Sequence, residues 1–432
     1  MYLKRIQIKN IRSIQETDWE IETKDSAGWH VILGDNGSGK STFIRSVALA
    51  LVGPSEAIAL RQDWNEWLRK GQEKGAVLLS LLPNIDYDVF SGSGPNSDIN
   101  DLQVVLNFIR QNGSTVRLTS SNKPHVPHNP DLYIWADHGG WFSAAYGPFR
   151  RFSGGNTDDD KIFNSNPKLA AHLSAFGEGF ALTEVIKWLK DLKFKNLEAN
   201  PEGEILDQII AFINQDGFLP NHVHLQNVSS DRVQFVDGNG CDVSLEELSD
   251  GYRSILSMTF ELIRQMVKSY PSKRIFSDDG AKVIVPGVVL IDEVDAHLHP
   301  SWQRQVGLWF REHFPNIQFI VTTHSPFVCQ AADVRTVWRL PKPGSKEKAA
   351  MVTGTDLDRL LYGNVLDAYS TDIFGSGVTR SPDSKKRLQR LAELNMAEFE
   401  RKLTASEHTE MEALRSSQPT AAHSLRVSNG SK

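Results

Sequence analysis

The sequence predicts an α/β fold, with a mixed sheet packed around a single buried helix near the N-terminus. Three observations predict it. The apolar run Trp29-His30-Val31-Ile32-Leu33 ends in Gly34, and a helical pattern follows from Lys40-Ser41-Thr42 through Phe43, Ile44, Val47, Ala48 and Leu51. Val283 to Ile291 and Phe319 to Thr323 are further apolar, β-branched runs without alternation, the pattern of parallel strands buried on both faces. Between these runs, residues 165–217 and 245–269 read as helices, and Leu182 to Leu192 has an apolar spacing of about 3.6 residues.

The remaining elements follow in order. Tyr2, Lys4, Ile6 and Ile8 alternate with Leu3, Arg5, Gln7 and Lys9, which predicts a half-buried first strand, with a partner near Trp19-Glu20-Ile21. Gly75 to Leu82, Leu102 to Phe108 and Leu132 to Ala136 read as strands, with turn-rich text at SGSGPNSD and a loop at residues 153–160. Val223 to Val236 reads as a pair of short strands. Lys385 to Leu403 reads as a helix with Leu388, Leu391, Asn395, Phe399 and Leu403 on one side, and residues 406–414 as a second helix. The polar tail from Ser416 is expected to be disordered.

Bulk properties narrow the class. The net charge is −6, so the chain is not a basic nucleic-acid binder overall, although a local basic patch stays open. Cys241 and Cys329 are far apart and fit no metal-ligand spacing, which points to a reducing compartment. No run approaches the roughly 20 apolar residues of a membrane span, and the opening residues do not read as a signal peptide. A cytoplasmic protein without membrane attachment is expected.

Four motifs carry chemistry. Gly34 to Ser41 fits G-x-x-x-x-G-K-[ST] between a predicted strand and a predicted helix. Backbone N–H groups of Asn36, Gly37, Ser38, Gly39 and Thr42 can turn toward phosphate oxygens, Lys40 supplies positive charge, and Ser41 offers a hydroxyl to Mg²⁺. Val288 to Glu293 is a strand ending in two acids. Asp292 suits Mg²⁺, directly or through water, and Glu293 suits a general base. Thr322-Thr323-His324-Ser325-Pro326 ends another strand, where His324 could sense a terminal phosphate or be structural. Leu248-Ser249-Asp250-Gly251-Tyr252-Arg253-Ser254 reads as a capped helix start. Two lesser features are His125-Val126-Pro127-His128, which lacks the ligands for a metal, and the pair His297 and His299, which is expected to shape its loop rather than bind zinc.

In this order the motifs resemble the ATP-binding-cassette fold in its SMC-like branch, over residues 1–70 and 240–340. The fold implied is a two-lobe ABC-type ATPase head with a C-terminal helical extension. The expected division is a first ATPase lobe at 1–160, a helical lobe at 161–275 ending in the signature motif, the first lobe continued at 276–345, the extension at 346–415 and the tail at 416–432. The resemblance implies Mg-ATP as ligand, Lys40, Glu293 and His324 as catalytic residues, and Arg12 and Ser13 near the nucleotide. It also implies Gln62 as a Q-loop glutamine at the metal and Asp295 as the D-loop acid. Head-to-tail dimerisation follows, with Ser249 and Gly251 facing the γ-phosphate bound by the other copy; higher oligomers stay open. Asp250 departs from the glycine usual in transporters.

The wording LSDGYRS, with Tyr146-Gly147-Pro148-Phe149-Arg150-Arg151, is similar to a bacterial group of stand-alone AAA/ABC-like ATPases, many from antiphage defence systems such as Septu and certain retrons. That implies ATP hydrolysis coupled to a separate effector, a nuclease or toxin, docking on the C-terminal helices; the alternative for those helices is packing on their own core. No nuclease activity is expected here, because Asp356 and Asp358 read as a helix start rather than an acidic nuclease cluster. A DNA-repair or DNA-structure ATPase is the competing reading. The hexapeptide at 146–151 has no chemical role that the sequence supplies.

Overall fold

The structure is a computed structural model and describes residues 1–90, 101–120, 129–135, 140–149, 166–177, 183–271, 273–374 and 381–417. The turn text at SGSGPNSD, the loop at 153–160, the pair His125 and His128, and the tail beyond Ser417 lie outside the described residues. Chain contacts divide it into two units, Met1–Ala368 and Tyr369–Lys432.

The first unit opens with strands β1 (Tyr2–Ile11), β2 (Ile14–Glu20) and β3 (Gly28–Leu33) and helix α1 (Lys40–Val52). Strands β4 (Lys74–Leu82), β5 (Leu102–Gln111), β6 (Thr115–Ser120) and β7 (Ser143–Tyr146) follow. Helices α2 (Thr183–Leu197) and α3 (Ile205–Ile213) lead to β8 (His224–Val228), β9 (Val233–Val236), β10 (Asp242–Ser244) and the long helix α4 (Asp250–Ser269). The unit closes with β11 (Gly287–Ile291), α5 (Pro300–His313), β12 (Ile317–Thr322), β13 (Val337–Arg339), β14 (Ala350–Met351) and α6 (Gly354–Leu361). The strands form an antiparallel sheet in the order β2-β1-β4-β5-β6, a small sheet β10-β9-β8, and a mixed sheet β14-β13-β3-β12-β11-β7.

Helix α1 lies between the two large sheets, against β1, β4 and β5 on one side and β7, β11 and β12 on the other. All its residues except Ser41 and Arg45 are buried. A helix apolar around its whole circumference belongs in a core, and Phe43, Ile44, Val47 and Leu51 join one cluster with Ile6, Ile8, Val77 and Leu290. Among the described residues, no single helix is long and apolar enough to cross a membrane.

Four expectations need correction. Strict alternation fails in β1, because the register with β4 shifts between Leu3 and Arg5. This bulge turns Leu3 to the same buried face as Ile6 and Ile8. Leu132 to Trp135 is not a strand: Pro130–Tyr133 is a short helix, because Pro130 takes the first helical position and Asn129 caps the Asp131 N–H. The run from Val283 yields a strand only from Gly287, directly after Pro286, which has no N–H for a ladder. The first unit extends past 345 to Ala368, because β14 pairs with β13 and α6 packs on the short helix Pro326–Cys329.

The second unit contains a hairpin of α7 (Pro382–Glu400) and α8 (Ala405–Ser417). Its small core is Leu391, Leu394 and Met411. Phe399, expected on the inner face with Leu391, is instead 94% exposed. The buried stripe runs through Leu394, three residues beyond Leu391, which leaves Phe399 on another side of the helix.

Two buried histidines set a pH dependence. His30 in β3 is fully buried, with Nε2 3.2 Å from the Ser26 carbonyl. His172 is also buried, with Nδ1 2.7 Å from the Lys168 carbonyl. Burial pushes each imidazole down to about 4. Both are therefore neutral when folded, and unfolding takes up protons between pH 6.5 and 4. Their contribution is intact above pH 6.5 and is lost as pH falls toward 4, by about 2 kcal/mol per histidine at pH 5. The urea midpoint is expected to drop from pH 7 to pH 5, with a shallower slope in His172→Asn.

Candidate functional site

Strands β3, β12, β11 and β7 run parallel and side by side, so their C-terminal ends open on one edge. Ligands gather at such edges in α/β sheets. The loop after β3 is Gly34 to Gly39, the loop after β11 begins with Asp292 and Glu293, and the loop after β12 carries Thr323 and His324.

The phosphate loop has the shape of an anion cradle. Gly39, at φ +104°, caps α1, and a Cβ there would lie 2.8 Å from the Ser13 hydroxyl. A Cβ on Gly34 would strike Ser38 Oγ. That hydroxyl is buried and has no hydrogen-bond partner among the described residues. Lys40 is buried and donates from Nζ to the carbonyls of Gly34 at 2.8 Å and Asp35 at 3.3 Å. Burial lowers its pKa, while the carboxylates of Asp292, Glu293, Asp35 and Asp295 act the other way. Among the described residues there is no cluster of three or more His, Cys, Asp or Glu able to hold a metal alone. The cradle therefore fits a polyphosphate with Mg²⁺, an ion that takes one or two protein ligands and completes its shell with phosphates and water.

The acids are set by two adjacent threonines. Thr322 Oγ1 donates to Asp292 Oδ1 at 2.6 Å and accepts the Glu293 N–H at 2.8 Å. Thr323 Oγ1 donates to Asp295 Oδ1 at 2.6 Å. Asp292 is buried, and its own N–H donates to the Tyr146 carbonyl at 2.8 Å. Glu293 has φ +48°, a left-handed conformation that a side chain rarely adopts. Gln303 ties the following loop down: its Nε2 donates to the Leu298 carbonyl at 2.9 Å, and its Oε1 accepts from Ser325 at 2.7 Å. The sequence reading missed Thr322, Thr323 and Gln303. The threonines were visible as hydroxyls ending a buried strand, whereas Gln303 gave no signal.

The other expected residues fall into three groups. His324 is exposed at the end of β12. Arg12 and Ser13 form the turn between β1 and β2, and Ser13 touches the phosphate loop at Gly39. The Arg12 guanidinium lies 4.3 Å from the Trp67 ring centre, and burial lowers its pKa. Gln62 Oε1 accepts from the same indole at 3.4 Å. Gln62 thus belongs with Trp67 and Arg12, and no hydrogen bond among the described residues joins it to Ser41 or Asp292.

Ser249 is the exposed N-cap of α4. Gly251 is buried, and a Cβ there would lie 2.9 Å from the His297 carbonyl. Trp302 packs against Tyr252 and donates to the Phe218 carbonyl at 3.0 Å. The signature helix therefore rests on the loop that follows the acids. His299 caps α5 and His297 turns the chain at φ +65°, so both shape this loop.

The parallel edge, the glycine cradle and the strand-end acids define a phosphate-loop fold of the AAA ATPase class. The family described as "AAA domain, putative AbiEii toxin, Type IV TA system" matches residues 96–330, and the chain belongs to it. That match begins after the phosphate loop and takes in the signature motif, Asp292, Glu293 and His324. The chain is similar to "Septu protein PtuA" of Bacillus mycoides (strain KBAB4), 27% identical over 75% of this chain and 38% of that protein. It is similar to "Retron Ec83 probable ATPase" of Escherichia coli, 40% identical over 31% of this chain and 23% of that protein. The chain spans less than half the length of these relatives. An SMC head solved with the C-winged helix domain of ScpA is 15% identical, with a TM-score of 0.47, over 82% of this chain and 98% of that one.

Thr322→Val keeps the shape of the side chain and removes the bridge between Asp292 and Glu293. It is expected to lower unfolding free energy by about 1–3 kcal/mol, because a buried carboxylate loses its donor. Urea denaturation measures this, and an unchanged midpoint would show that the bridge carries no stability.

Proposed function

We propose that this chain binds and hydrolyses Mg-ATP in a head-to-tail dimer and so regulates a separate effector, a nuclease or toxin, in antiphage defence. The observation that carries the ATP reading is the phosphate loop, where Lys40 is buried against the loop carbonyls and the buried Ser38 hydroxyl, which a side chain at Gly34 would strike, has no hydrogen-bond partner among the described residues. Its similarity to Septu and retron proteins supports the defence role.

In this reading Lys40 leaves the loop carbonyls for the β- and γ-phosphates, and the backbone N–H groups of residues 36–42 hold the remaining oxygens. Ser41 and Asp292 are the residues that would hold Mg²⁺, which supplies charge neutralisation at the transferred phosphoryl group. Glu293 accepts a proton from the attacking water, and ADP and phosphate leave. His324 is exposed beside these groups and contacts the terminal phosphate. Ser249, exposed at a helix N-terminus, faces the γ-phosphate of the other copy. Dimer closure then depends on ATP, and hydrolysis reopens it. Exposed Met396 and Phe399 on α7 support effector docking on the C-terminal hairpin.

Lys40→Ala is expected to abolish ATP binding in calorimetric titration. Glu293→Gln is expected to slow turnover by about 10²–10⁴-fold and to leave an ATP-bound dimer on size exclusion. Wild-type turnover in that variant removes Glu293 as the base. Ser249→Arg is expected to prevent ATP-dependent dimerisation without weakening ATP binding to the monomer, and an intact dimer would sink the shared-site geometry.

A further inference from the structure

The segment Tyr146-Gly147-Pro148-Phe149 follows β7, the edge strand beside β11. Its backbone and its side chain point to two different parts of the molecule. Tyr146 pairs with Ile291, and its carbonyl accepts the N–H of Asp292 at 2.8 Å. The chain direction just beyond is fixed, because a Cβ on Gly147 would strike the Ser174 carbonyl. The Tyr146 side chain is 1% exposed, and its hydroxyl has no hydrogen-bond partner among the described residues.

The charges that act on this phenol are Glu261 and Arg264, both on α4, which packs on β7. They form a buried bidentate pair: Arg264 Nε donates to Glu261 Oε2 at 2.7 Å and Nη2 donates to Oε1 at 2.7 Å. Gln265 Nε2 adds a bond to Oε1 at 2.6 Å. Among the described residues Oε1 thus accepts two bonds and Oε2 one, and a carboxylate oxygen can accept two. Helix α4 is the element whose first turn carries Ser249.

A buried hydroxyl without a partner carries a desolvation penalty that packing alone does not recover. Such a group in a native structure calls for an explanation beyond packing. Here an acceptor with spare capacity lies on the helix that packs on β7, and a change in the seating of that helix is what would join the two. Packed interfaces move between discrete arrangements in this way.

We propose that Tyr146 is a positioning residue that couples the acid end of β11 to the signature helix. In the ATP-bound state its hydroxyl donates to the Glu261 carboxylate, and this bond sets α4, and with it Ser249, relative to Asp292 and Glu293. The inference rests on the ATP reading above.

The test is Tyr146→Phe in the full chain, which keeps the ring and its packing. Thermal midpoints are measured with and without Mg-ATP, alongside steady-state hydrolysis. Without nucleotide the variant is expected to melt at or above the wild-type temperature. Its Mg-ATP-induced rise is expected to fall below half of the wild-type rise, and kcat to fall about tenfold with KM within about twofold, the pattern of an interaction made after binding. A variant that keeps the full wild-type rise and the wild-type kcat overturns the inference alone, whatever its stability without nucleotide. A wild-type protein whose midpoint does not respond to Mg-ATP fails the ATP reading and overturns the inference with it.

Discussion

The hydroxyl of Thr322 is bonded to the two residues at the end of a neighbouring strand. It donates to the Asp292 carboxylate and accepts the N–H of Glu293. A buried carboxylate needs such a donor to stay ordered, and a residue at φ +48° needs its turn held from outside. One side chain meets both needs. Because β11 and β12 pair in parallel from Gly287↔Ile317 to Ile291↔Val321, the two strand ends finish level, and Thr322 falls beside the acids. The parallel register and the site geometry are therefore one constraint.

The same edge explains the buried helix. Strand β3 delivers the chain to the glycine loop at the level of those acids, and α1 then runs back between two sheets. Its apolar circumference anchors the phosphate loop to a core shared by both large sheets. The flexibility implied by three glycines within residues 34–39 is thus confined to the loop itself. Lys40 is drawn inward by the same burial, which lowers its pKa while the surrounding carboxylates resist.

The signature helix is joined to this edge at two heights. Near its start, Gly251 lies against the His297 carbonyl and Tyr252 against Trp302. Further along, α4 packs on β7, where the Tyr146 carbonyl accepts the Asp292 N–H. The chain belongs to the AAA-domain family and is similar to Septu and retron proteins. These relatives extend well beyond the region they share with this chain.

The sequence by itself determined the elements whose residues announce their own surroundings. The run Trp29–Leu33 into G-x-x-x-x-G-K-S specified strand, loop and helix, because apolar runs bury and glycine turns the backbone. Strand ends at Asp292, Glu293 and His324 were legible for the same reason, as polar groups ending an apolar run. Only the tertiary structure decided what depends on a second segment. The bulge that turns Leu3 inward requires the register with β4, and the face that leaves Phe399 exposed requires the packing of α7 on α8. The bridge at Thr322, the clamp at Gln303 and the bond from the Asp292 N–H to the Tyr146 carbonyl join residues distant in sequence. Hydrogen bonds between residues remote in the chain leave no local pattern, so composition and periodicity cannot register them.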